Sequence, residues 1–171
     1  MTISMTSRDK NDGMHIEPTT WKEAAETASE IIFGCVRPHA KVSVAGLKEH
    51  HEKIINDFFE SPTTDLLIAR WSTLGSMAIE YSIQDDSAIS AKTLVTTLCK
   101  KQHDYGPNNI LRFGQKGLMI RVWDKISRLD NLSTQDYAPE VDESKIDTLL
   151  DIAGYSTIGI MLRRGWFRLP L

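Results

Sequence analysis

Cysteine is scarce in this chain. Cys35 and Cys99 are its only two, and they form neither a CxxC pair nor a cluster with histidine, so a structural zinc ion has no ligand set. A reducing compartment would keep them unbonded, and both read as small buried hydrophobes. An excess of basic residues is missing as well. The formal net charge is −3, which offers no field for a nucleic-acid duplex or an acidic membrane surface. A small anion needs only a local patch. The opening MTISMTSRDKNDG lacks the apolar core of a signal peptide. The most apolar late stretch, Ile146 to Leu162, is interrupted by Asp147 and Asp151 and is too broken to span a bilayer. A cytosolic location is the expectation. Nothing matches a GxxxxGK[ST] phosphate loop, and no run alternates apolar and polar residues as a half-buried strand must.

What the chain does have is apolar residues at helical spacing, with 41% hydrophobic residues to build one core. Residues 1–18 are polar and aperiodic and predict a flexible tail, while 19–171 predict a single all-α domain. Thr20 and Glu23 form a capping box that opens a first helix through Gly34. Glu23, Glu26 and Glu30 fall on its solvated side. A second helix, about 46 to 60, sets Leu47, Ile54, Ile55, Phe58 and Phe59 on its apolar face and ends at Ser61-Pro62. A third, about 65 to 83, repeats Leu67, Leu74, Met77 and Ala78. A fourth, about 87 to 103, carries Ala88, Ala91, Val95 and Leu98 and stops at Gly106-Pro107. The stretch 104–117 reads as a loop. Two more helices, about 116 to 130 and about 141 to 163, joined by the polar NLSTQDYAPEVD, complete a bundle of about six.

The segment ESKIDTLLDIAGY poses the central question. At about 100° per residue, Glu143, Asp147 and Asp151 fall within a band of roughly 80°, while Ile146, Leu149, Leu150, Ile152 and Ala153 spread over the rest. Like charges at this spacing repel by a few tenths of a kcal/mol per pair even when exposed, and burial costs far more. The stripe needs cationic company. One source is LMIRVWDKISRLDNL, in which Arg121, Asp124 and Arg128 share a face beside Lys125, so that Arg121 and Arg128 would neutralise Asp147 and Asp151 in buried salt bridges. The other is a divalent ion, Mg²⁺ or Mn²⁺ in its place, held by the stripe with Asp124 reaching in. Arg121, Lys125 and Arg128 would then meet the phosphates of a ligand. Spacing alone leaves both open.

Two further groups stand out. His103, Asp104, Tyr105, Asn108 and Asn109 surround the Gly106-Pro107 turn, where they can either stack on and hydrogen-bond a base or cap helix ends and turn amides. In RRGWFRLPL, Arg163 and Arg164 suit a helix C-terminus, and Trp166 and Phe167 suit core packing or a subunit contact.

Taken together, KKQHDYGPNNILRFGQKGLMIRVWDKISRLDNL and ESKIDTLLDIAGY resemble the nucleotide-modification-associated domain, type 1, a family of phages and bacteria. The shared pattern is Asp104-Tyr105-Gly106, Asn109, Arg121, Asp124-Lys125, Arg128-Leu129, Glu143-Ser144, Asp147 and Asp151 through Gly154-Tyr155, across roughly residues 100 to 163. The resemblance implies phage-type nucleotide metabolism or base modification, in the host cytoplasm if phage-encoded. It also implies a MazG-like all-α fold similar to the nucleoside triphosphate pyrophosphatases. It further implies a homo-oligomer that binds a small-molecule (deoxy)nucleotide through Mg²⁺ and hydrolyses its phosphoanhydride. Asp147 and Asp151 would match the Glu-x-x-x-Asp element, with Asp124 and Glu143 as supporting ligands. The dense Glu-Glu-x-x-Glu element of MazG-like proteins is absent here, with Glu23-x-x-Glu26 its only loose substitute. A non-catalytic nucleotide-binding or adaptor module, its acids neutralised by salt bridges, is the alternative.

Overall fold

The computed structural model describes residues 16–134, 140 and 143–171. Among them are seven helices and no strand: α1 (Trp21–Gly34), α2 (Val44–Glu60), α3 (Thr64–Gln84), α4 (Ala91–Tyr105), α5 (Asn108–Leu111), α6 (Gly114–Thr134) and α7 (Lys145–Arg164). They pack as one helical bundle. Most of the expected tail, residues 1–15, and most of the linker after α6 lie outside the described residues. No helix among those described is long and apolar enough to cross a membrane.

Local capping sets the helix starts. Thr20, Ser43, Thr63, Ser90 and Ser144 each accept a hydrogen bond from the amide three residues on. The Ser90 cap delays α4 to Ala91, which leaves Ala88 and Ala91 exposed and gives the core Ile89, Leu94, Val95 and Leu98 instead. Glu23 does not close a box on Thr20. Its carboxylate accepts from the Thr19 amide at 2.8 Å and the Thr19 hydroxyl at 3.1 Å, which hold its pKa below the usual carboxylate value. The expected loop 104–117 contains the one-turn helix α5, which starts after Gly106 (φ 67°) and buries Ile110.

α7 runs through the middle of the bundle against α3 and α6, with α1 and α4 along its flank. Its buried residues lie almost all round, Leu149, Ile152, Ser156, Thr157 and Ile160 among them, as a central helix requires. Glycine permits its close approach to α3: a Cβ on Gly159 would sit 2.6 Å from the Trp71 ring. That ring is fixed by its indole N–H, which donates to Gln115 Oε1 at 2.6 Å, and Gln115 Nε2 donates to the Gly159 carbonyl at 3.0 Å. One buried amide thus ties α3, α6 and α7 together.

Several side chains sit elsewhere than their spacing predicts. α2 buries Leu47, His50, His51 and Ile54, whereas Phe59 is 63% exposed. His50 Nε2 lies 2.9 Å from the Arg70 carbonyl and His51 Nε2 lies 2.8 Å from that of Met119, so each ring donates across to a neighbouring helix. Cys35 is exposed, because it caps the C-terminus of α1 beyond the last buried turn, and Cys99 is half-buried. Phe167 is buried edge-on against Trp21, with ring centroids 5.9 Å apart, so it serves the core. Trp166 donates its indole N–H to Glu17 at 3.0 Å.

Candidate functional site

α4 and α7 pass antiparallel with Gly154 facing Leu98, where an added Cβ would be 3.2 Å from Leu98 Cδ2. One turn along, the same register brings Lys101 to Asp151, Nζ to Oδ1 at 2.7 Å. α5 and α6 close the other side. The result is a cavity of about 310 Å³ lined by Trp21, Lys101, Tyr105, Asn109, Arg121, Lys125, Asp151 and Tyr155 over an apolar base of Leu94, Leu98, Ile110 and Ile158. This is the lower end of the range for small-molecule sites.

The charges in this cavity are unequal. Three cations, Lys101, Arg121 and Lys125, line it against one carboxylate, Asp151. Lys125 Nζ lies 2.8 Å from Asp151 Oδ2 and 2.9 Å from Glu143 Oε1. Burial alone would depress the Lys125 pKa, but hydrogen bonds and charge from Asp151 and Glu143 outweigh it and hold the ammonium above the ordinary lysine value. Arg121 has no carboxylate partner among the described residues; its one hydrogen bond is a long 3.5 Å to the Asn109 carbonyl. Two buried polar atoms on lining side chains, Trp21 Nε1 and Asn109 Oδ1, have no partner among the described residues. Such groups are costly to leave bare, and a donor and an acceptor on opposite elements are what a polar ligand would satisfy.

The acid stripe resolves into separate tasks. Ser144 caps α7, so Glu143 precedes the helix and is not part of it. Asp147 closes a capping box: its Oδ2 accepts from the Ser144 amide at 2.9 Å and the Ser144 hydroxyl at 2.8 Å, which hold its pKa below the usual carboxylate range. Asp124 is exposed on α6 and does not line the cavity. Magnesium asks for several oxygens at about 2.0–2.1 Å from one point. Among the described residues no three His, Cys, Asp or Glu side chains are grouped to provide that, and between Glu143 and Asp151 stands the Lys125 ammonium. Asp124, Glu143, Asp147 and Asp151 in this arrangement do not fit the ion.

The expected phosphate cations separate too. Arg121 and Lys125 face the cavity. Arg128 instead clamps the start of α7, donating to the Glu143 carbonyl, the Thr148 hydroxyl and, at 3.5 Å, the Ser144 carbonyl. Of the loop residues, Tyr105 and Asn109 line the cavity, while His103, Asp104 and Asn108 are exposed outside it. His103 Nδ1 lies 3.0 Å from Asp104 Oδ1. Lys101 and Trp21 were not singled out from sequence, since both enter through the α1–α4–α7 packing. No protein-family model, curated protein or solved structure matches the chain.

Proposed function

We propose that the chain is a binding module for a small phosphorylated ligand of the nucleotide class, taken up in the α4–α7 cavity by direct contact with its cations. The carrying observation is the surplus of Lys101, Arg121 and Lys125 over Asp151 in a chain that is acidic overall. Arg121, without a carboxylate of its own, is the group best placed for a bidentate phosphate contact. Tyr105 and Tyr155 supply aromatic surface, and the unpartnered Trp21 Nε1 and Asn109 Oδ1 in the wall are one donor and one acceptor for a base or sugar. The reading stops at binding. Asp151, the one carboxylate in the lining, is held by two ammonium groups and is not available to activate water. This favours the non-catalytic alternative over the hydrolase.

Thermal unfolding with nucleoside mono-, di- and triphosphates in excess EDTA tests it. A ligand at one hundred times its Kd should add about 2.7 kcal/mol, and Arg121→Gln should weaken binding about tenfold with little change in unliganded stability. Stabilisation that needs Mg²⁺, or release of phosphate or pyrophosphate, would restore the metal-dependent hydrolase. No stabilisation by any nucleotide would leave the adaptor reading.

For the homo-oligomer that the family resemblance implies, one apolar surface among the described residues is suited. Phe59 (63%), Ile120 (65%) and Trp123 (43%) are exposed together along α2 and α6, in a groove that Lys48, Lys116, Glu49 and Glu52 also line. A patch carrying both signs can be complementary to a two-fold copy of itself. We assign the oligomer contact to this face and its occupant to a second copy of the chain.

A further inference from the structure

A second cavity, of about 380 Å³, shares no lining residue with the first. It lies where the segment after α1 and the start of α2 meet α3, and Glu80 forms part of its wall. Glu80 is 2% exposed on the buried side of α3. Its Oε1 has only distant company, the Arg37 amide at 3.4 Å and Arg37 Nε at 3.6 Å, and the Arg37 side chain is itself 76% exposed. Its Oε2 is buried with no partner among the described residues. A carboxylate held in this way is costly to bury, whereas an apolar side chain of the same length would stabilise the fold there. Folding energetics therefore gives no reason for an acid at this position.

The rest of the lining suggests what would satisfy it. The Thr73 and Ser76 hydroxyls donate their protons to the Ala69 and Thr73 carbonyls, so toward the cavity they offer lone pairs. The α3 wall of the cavity thus presents acceptors, from the buried Glu80 and Ser76 out to the exposed Thr73. Arg37 and Lys41 are exposed at the outer side, next to Ser43, the N-cap of the 17-residue α2. That end is positive, through the two side chains and the helix dipole. The cavity is negative in its depth and positive at its mouth.

We propose that this cavity binds a small zwitterion of the amino-acid type: a primary ammonium donating to Glu80 Oε2, joined by a short linker to a carboxylate that meets Arg37, Lys41 and the first turn of α2. A simple cation would leave the mouth unpaired, and a simple anion would leave Glu80 as it is. The bipolar ligand answers both ends. The site is independent of the nucleotide reading, because its residues and its ligand chemistry are different.

Calorimetric titration and thermal shift with glycine, L-alanine and γ-aminobutyrate, alongside acetate and ethylammonium, test this. At least one zwitterion should bind one per chain and at least about tenfold more tightly than either single-charge probe. Glu80→Gln should weaken that binding about tenfold or more, as expected when a charge-assisted bond becomes a neutral one. Glu80→Met should raise the unliganded melting temperature and abolish the response. If the Glu80 variants fail to fold, the exposed Arg37→Ala and Lys41→Ala should each still weaken the zwitterion severalfold. Acetate binding as well as the zwitterions would make this an anion site only and overturn the proposal. So would undiminished binding by Glu80→Gln, or no binding of any probe into the millimolar range, in which case solvent alone satisfies Glu80.

Discussion

Lys125 and Asp151 form the pivot of the α6–α7 contact: Nζ stands 2.8 Å from Oδ2, and the same ammonium reaches Glu143 at 2.9 Å. Both lysine and aspartate side chains are mostly buried, at 22% and 15% exposed. Lys125→Met would leave two carboxylates facing each other without their shared cation. We expect a loss of about 1–3 kcal/mol, between the exposed and fully buried limits for breaking an ion pair. The variant should also acquire what the parent arrangement does not fit, a rise in melting temperature on adding Mg²⁺, because the place held by Nζ becomes free. Urea unfolding with and without Mg²⁺ reads both effects. A variant as stable as the parent would show that the ion pair contributes nothing.

The helices were legible in the sequence and the partners were not. Six apolar periodicities give six of the seven helices among the described residues, and Thr20, Ser61-Pro62 and Gly106-Pro107 mark ends that the structure keeps. The Ser43, Ser90 and Ser144 caps instead set the starts of α2, α4 and α7 two to four residues from where apolar spacing puts them. Of the three acids of ESKIDTLLDIAGY expected to need cations, Glu143 and Asp151 meet side-chain cations, while Asp147 is satisfied by the Ser144 amide and hydroxyl. They are lysines, not the Arg121 and Arg128 of the salt-bridge alternative. Helical spacing places residues on one face of their own helix, but which helix that face meets depends on long-range packing. Lys101 reaches Asp151 because Gly154 lets α4 close on α7, and the Ser144-x-x-Asp147 box starts α7 too late to include Glu143. That capping box was in the sequence to be read. The cavity was not, since Trp21, Lys101, Arg121 and Asp151 come from four helices.

The Trp71–Gln115–Gly159 network makes a second expectation concrete. Gln115→Leu removes the acceptor of a buried indole N–H and the donor to a buried carbonyl at once. Leaving such groups unsatisfied costs about 1–3 kcal/mol each. Gly159→Ala attacks the same junction sterically, forcing a methyl to within 2.6 Å of the Trp71 ring, and overpacking of this kind costs about 1–3 kcal/mol. The double variant should lose less than the sum, since either change alone displaces the tryptophan. Chemical denaturation of the two single variants and the double variant measures this, and strict additivity would mean that the three residues do not act as a unit.

The buried histidines of α2 predict an acid limb in stability. Burial pushes both His50 and His51 below the ordinary value of 6.5, against the opposing pull of their carbonyl partners. The folded state therefore disfavours their protonation more than the unfolded chain does. Their contribution is complete above about pH 6.5 and is lost as pH falls through that value toward the folded pKa. Asp147 and Glu23, whose pKa values are lowered, keep their contributions above the ordinary carboxylate values and lose them as pH falls from there through the folded pKa, so the two limbs separate. Denaturation midpoints should drop between about pH 7 and pH 5, and the drop should shrink in His51→Gln. A flat midpoint across that interval would contradict the burial of these rings.

The α2–α6 face gives the last expectation. Ile120 projects 65% exposed from α6, and an isoleucine so placed contributes little to the fold of a single chain. A charge there should cost the monomer within about 0.5 kcal/mol, as surface substitutions generally do. On a two-fold interface the same charge appears twice, with each copy desolvated against an apolar patch, and a few kcal/mol are lost from association. Ile120→Glu should therefore shift the sedimentation mass from dimer to monomer while leaving the thermal midpoint of the monomer unchanged. On the proposed two-fold pairing, which joins both signs of charge, Lys116→Glu should weaken the dimer and added salt should weaken it further. If the parent chain sediments as a monomer at high concentration, the exposed Phe59, Ile120 and Trp123 are not joined to a second copy.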